Sequence, residues 1–105
     1  MSEHAILIHI LLKDTHKYSE QRDAVFHLEK ELEKAINNAQ YGELDGDEFG
    51  GGEAIIYLYA PDAEKLHKII DPILNRAKIA QGARVITRYG DADDNNAHQV
   101  ETVIL

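Results

Sequence analysis

From Ala5 to Leu12 the chain is apolar at every position except His9. Ile6, Ile8, Ile10 and Leu12 share one face of an extended chain, and Ala5, Leu7, His9 and Leu11 the other. A strand buried on both faces reads this way, which predicts a central place in a sheet. After the polar link 13–17 the period changes. Val25, Leu28, Leu32, Ala35, Ile36 and Ala39 recur at helical spacing and form one stripe of a helix over 19–40. Ser19 is its expected N-cap, and Asn37, Asn38 and Gly42 are its expected stop signals. Asp45-Gly46 carries a strong hairpin signal, because a type I′ turn needs positive φ at both central residues. It predicts a short strand over 40–44 and a longer one after it. Gly50-Gly51-Gly52 predicts a β-bulge within that longer strand, ahead of the β-branched and aromatic run 53–59.

Pro61-Asp62 opens a second helix with Asp62 as its cap. Leu66, Ile69, Ile70, Ile73, Leu74 and Ala77 make its stripe. Pro72 falls inside that stripe in phase, which predicts a kink or a restart capped by Asp71. Gly82 leads into a strand over 83–89, and a last strand covers 98–105. The order gives an α+β fold: a ferredoxin-like βαββαβ unit with an extra C-terminal strand, two helices on one face of an antiparallel sheet. If residues 40–49 do not pair, the order becomes βαβαββ instead.

Composition narrows the class. At 105 residues and 11.8 kDa the chain is read as a single domain over 1–105. It has no cysteine, hence no disulfide framework or thiolate chemistry. No apolar run approaches the roughly 18 residues of a membrane span. Met1-Ser2-Glu3-His4 lacks the basic region of a signal peptide, so a cytoplasmic location is expected.

The net charge of −8 argues against nucleic acid and anionic membranes as partners. That charge is concentrated in two turn-rich segments. Glu43, Asp45, Asp47, Glu48 and Glu53 lie in one, and Asp91, Asp93 and Asp94 in the other, with no base among them. The remaining acids balance the 11 Lys and Arg. The two segments read as solvated loops, or as a surface for a basic protein.

With both helices on one side, the opposite sheet face needs an owner. It collects Leu7, His9, Leu11, Ile55, Tyr57, Tyr59, Arg84, Ile86 and Arg88. Burying a large aliphatic is worth about 1.5–3 kcal/mol, so leaving this face wet forgoes several kcal/mol. Tyr and Arg are enriched where interfaces are strongest. A homo-oligomer interface or a ligand site on His9, Tyr57, Tyr59, Arg84, Arg88, Ile55 and Ile86 is therefore expected.

The chemistry on offer is thin. Tyr57 and Tyr59 have the spacing of a base-stacking pair, but no basic cluster accompanies them. Asp45, Asp47 and Glu48 are weak metal candidates, since the spacing is not that of an EF-hand. His16, Lys13 and Lys17 are expected to neutralise Asp45, Asp47 and Glu48 across one end of the sheet. His27 and His67 read as ordinary helix residues. His9, expected beside Tyr57 and Arg84 or Arg88, is a weak catalytic candidate or part of a small-anion site. No cofactor fingerprint occurs.

Gly42–Glu53, Tyr59–Glu64 and Arg84–Gly90 resemble a set of small bacterial proteins of unassigned function. Those carry a D-G-x-E-x-G-x-G-E segment before an apolar strand. The resemblance implies that Asp45, Gly46, Glu48, Gly50, Gly52 and Glu53 form one defined turn and bulge, and it transfers no activity.

The expected function is a small binding or interaction module that self-associates through its open sheet face or its edge strand. One alternative is a cofactor-light enzyme, built as a dimeric α+β barrel closing over a small molecule. Another is an acidic inhibitor or adaptor of a basic protein.

Overall fold

The computed structural model describes residues 3–105; Met1 and Ser2, part of the segment read for a signal sequence, lie outside the described residues. Five strands and two helices alternate along the chain. They are β1 (His4–Leu11), α1 (Tyr18–Ala39), β2 (Glu43–Gly50), β3 (Glu53–Ala60), α2 (Ala63–Arg76), β4 (Arg84–Tyr89) and β5 (His98–Val103). All strand pairs are antiparallel, in the order β2-β3-β1-β4-β5. The apolar strand β1 is thus central, and its doubly apolar pattern follows from that place.

Both helices bury their stripes against one sheet face. Val25, Leu28, Leu32 and Ile36 of α1 meet Leu66, Ile70, Ile73 and Leu74 of α2 over Ile6, Ile8, Ile10, Ile56, Leu58 and Val85. Each face assignment made from strand alternation holds. Ile6, Ile8, Ile10, Leu12, Ala54, Ile56, Leu58, Ala83, Val85 and Thr87 are all buried.

Residues 40–49 do pair, but not as expected. The hairpin turn is Gly51-Gly52, with φ of +60° and +77°, and it joins two eight-residue strands. Asp45-Gly46 lies inside β2, where the register with β3 shifts between Leu44 and Gly46. Turn and bulge have exchanged places relative to the sequence reading. The reason is parity. Leu44 and Phe49 are five residues apart, so a plain strand would point them to opposite faces. One extra residue at Asp45 puts both on the helix side, opposite Leu58 and Ala54. Phe49 then meets Phe26 of α1 edge-on, with ring centroids 5.5 Å apart.

Both ends of α1 also differ from expectation. Ser19 lies within α1 and caps nothing. A 3-10 turn, Thr15–Lys17, runs directly into the helix, and Asp14 caps that turn by accepting from the His16 N–H at 3.0 Å. Gln40, not a glycine, takes the left-handed position that closes α1. In α2, Asp62 accepts from the Glu64 N–H at 3.0 Å, as its sequence position indicated. Pro72 is carried inside one continuous helix, with no restart at Asp71.

Candidate functional site

The face opposite the helices is built from cross-strand rows. Ile55, His9 and Arg84 form one row across β3, β1 and β4; Tyr57, Leu7 and Ile86 form the next; Tyr59, Ala5 and Arg88 the third. On β2 the matching positions are Glu48, Gly46 and Glu43, and on β5 they are Val103, Glu101 and Gln99. Side chains at i and i+2 of a strand point the same way, so all of these share one surface. Leu11 at its end is 57% exposed, while Leu7, Ile55, Tyr57, Tyr59 and Ile86 are half-buried by their neighbours.

His9 sits at the centre of this face. Its direct neighbours are Ile55 and Arg84, the arginine as expected, whereas Tyr57 lies one row away, a correction to the expected cluster. Its partner is Glu53, which sequence reasoning placed in the turn. The Nδ1–Oε1 distance is 3.2 Å. A carboxylate can only accept, so Nδ1 carries the proton and Nε2 is left as the other polar atom. That Nε2 is enclosed and has no hydrogen-bond partner among the described residues.

The two arginines do not converge. Arg84 donates through Nε and Nη2 to the Glu101 carboxylate at 3.3 and 3.0 Å. That pair holds the Arg84 guanidinium above its ordinary range and the Glu101 carboxyl below its own. Arg88 donates through Nε to the Gly90 carbonyl at 2.7 Å. The Tyr57 hydroxyl donates to Glu48 at 3.4 Å, and desolvation, then the Glu48 charge, raises its pKa. The face is therefore an apolar and aromatic strip between two charged margins. Glu43, Glu48 and Glu53 line one margin, and Arg84, Arg88 and Glu101 the other. Its electrostatics do not make an anion pocket of His9, Arg84 and Arg88.

The acidic segments do not join as expected either. Among the described residues no ion pair links Lys13, His16 or Lys17 to Asp45, Asp47 or Glu48. The bulge turns Asp47 toward α1, beside Glu29. Burial first, and then Asp47, push the Glu29 carboxyl up to about 8. No group of three or more His, Asp or Glu among the described residues is arranged to hold a metal ion.

Two constellations escaped the sequence reading. His67 is not an ordinary surface residue. Its Nδ1 lies 2.9 Å from Asp71 and its Nε2 2.8 Å from the Thr87 hydroxyl, linking α2 to β4. The Asp71 spacing of four was visible in the chain, but Thr87 comes from a distant strand. The arrangement has the order of a nucleophile, base and orienting acid, yet Thr87 is 3% exposed and offers no access to a substrate. It satisfies a polar group in the core. A hollow of about 300 Å³ beside it is bounded by Asp71, Leu74, Val85 and Ile104. At the other end of α2, His4 accepts from the Ala63 N–H through Nδ1 at 3.0 Å. Tyr89 lies edge-on to His4 and donates to Glu64, a bond that pushes the phenol up to about 12.

No protein-family model matches the chain, and no curated protein does. A solved structure does match: a de novo designed protein with a ferredoxin fold, determined by solution NMR. It is 22% identical, with a TM-score of 0.44, over 100% of this chain and 87% of that one.

Proposed function

We propose that this protein is a small interaction module, ferredoxin-like with a fifth strand, that pairs with a second copy of itself through the open sheet face. One observation carries this reading. The strip of Leu7, Leu11, Ile55, Tyr57, Tyr59 and Ile86 lies on the side of the sheet that neither helix covers. Five strands about 4.8 Å apart, six to eight residues long at about 3.3 Å each, present about 600 Å². Two such faces reach about 1,200 Å², the lower end of a specific interface. The tyrosines supply rigid aromatic area, and the charged margins form the polar rim. The same composition would suit a cytoplasmic protein, and among the described residues no helix is long and apolar enough to cross a membrane.

Sedimentation at micromolar concentration tests the reading, with a dimer of the 11.8 kDa chain expected. Tyr57→Glu places a charge at the centre of the face and is expected to yield monomer without loss of helical signal. A wild-type chain that stays monomeric at micromolar concentration and above, where interfaces of specific size associate, overturns the proposal.

A further inference from the structure

The charge pattern of the open face selects how two copies meet. This step rests on the preceding reading that the face is the contact. Two like sheets packed face to face are related by a two-fold axis lying between them, and the contact is isologous. For aligned sheets that axis runs either along the strands or across them, with an offset of about 30° from sheet twist.

The two choices bring different residues together. An axis along β1 keeps each cross-strand row but reverses the strand order, so β3 lies over the partner's β4. Tyr59 then covers the partner's Arg88, Tyr57 covers the partner's Ile86, and Ile55 covers the partner's Arg84. Glu43 and Glu48 fall over the partner's Gln99 and the partner's Val103, one strand from the partner's arginines, and the partner's Glu101, already paired with the partner's Arg84, falls over Gly46. An axis across the strands keeps each strand over itself and exchanges the rows. Arg84 then covers the partner's Arg88, and Glu43 covers the partner's Glu48. The first arrangement sets no two like charges directly face to face and stacks a guanidinium on a tyrosine ring. The second sets like charges together at both margins, the classical means of rejecting a wrong geometry.

We infer that the two-fold axis of the pair runs along β1. The acidic β2–β3 margin of each copy then lies against the arginine-bearing β4 margin of the other.

The chain contains no cysteine, so single introduced cysteines report position directly. Facing sheets stand about 10 Å apart, too far for a disulfide between opposed strands, so a short bis-maleimide is the reporter. With the axis along β1, Leu11 lies over its own copy while Tyr57 does not; with the axis across the strands, the reverse holds. Leu11→Cys is therefore expected to cross-link to near completion as a dimer, and Tyr57→Cys only at background. Efficient cross-linking of Tyr57→Cys with Leu11→Cys at background overturns the axis and leaves the face as the contact. Cross-linking confined to Val100→Cys, on the outer strand β5, places the contact at the sheet edge and overturns both readings. Sedimentation of each variant before cross-linking identifies any that no longer dimerises. In that event Ile86→Cys and His9→Cys separate the geometries on the same logic: His9 is self-facing only for an axis along β1, Ile86 only for an axis across the strands.

Discussion

Glu29 illustrates how one side chain couples two elements and the solvent. It lies on α1 beside Asp47 of β2, and burial with that neighbour pushes its carboxyl from 4.5 up to about 8. A raised folded-state pKa means that the protonated form is favoured in the fold. The stabilisation is full below about 4.5 and is lost as pH rises through about 8. Glu29→Gln keeps the hydrogen-bonding shape without the charge. It is expected to stabilise the protein at pH 9 by about 1–2 kcal/mol, after allowance for solvent screening, and to flatten stability between pH 5 and 9. Urea denaturation across that range measures it, and an unchanged slope would refute the assignment.

Gly42 is a second single-residue constraint. Its φ is +88°, and a Cβ there would lie 2.8 Å from Leu66 Cδ1 and 3.3 Å from the Tyr59 carbonyl. Gly42→Ala is expected to cost about 2–3 kcal/mol through backbone strain and overpacking. Gly50→Ala, where a Cβ meets nothing within 4 Å, should cost under about 1 kcal/mol. Equal losses at the two positions would show that the crowding is not the cause.

At the scale of elements, the β2–β3 hairpin depends on one surplus residue. Asp45 is exposed, so its side chain contributes little, but its backbone sets the parity of the strand. Asp45→Ala is expected to change stability by less than about 0.5 kcal/mol. Deletion of Asp45 removes the bulge and forces either Leu44 or Phe49 off the helix side, at about 2–4 kcal/mol. Thermal unfolding of the two variants separates the roles. The odd spacing of Leu44 and Phe49 was legible in the chain. It lost to the Asp-Gly dipeptide because both it and the glycine run could turn, and local preference alone does not choose between them. Tertiary packing chose Gly51-Gly52, which gives two full-length strands and seats both apolar residues. α2 was more readable, since its cap and its stripe are local properties, though its passage through Pro72 without a restart was not foreseen.

Across the whole molecule, a polar tether inside the core joins α2 to the sheet. His67 bonds Thr87 across the core boundary, with Asp71 behind it. A double-mutant cycle between His67→Leu and Thr87→Val is expected to show a coupling of about 1–2 kcal/mol, because either change alone strands a buried polar group. Additive losses would mean that the two side chains do not act together.

The sequence by itself determined the number and order of elements, the central place of β1, and which side of each of the strands β1, β3 and β4 meets the helices. These follow from periodicity, which needs only neighbouring residues. It also assembled the open face, because strand alternation carries Leu7, His9, Tyr57, Tyr59 and Ile86 to one side. Tertiary structure alone decided who touches whom on that face. His9 went to Glu53 and Arg84 to Glu101, while Arg88 closed a local bond to the Gly90 carbonyl, so the three expected anion-site residues each hold a different partner. It also decided the Glu29–Asp47 and His67–Thr87 contacts. Each depends on a register or a layer crossing between residues 18 or more apart in the chain. A charge or a hydroxyl carries no record in sequence of the partner that a distant strand will bring to it.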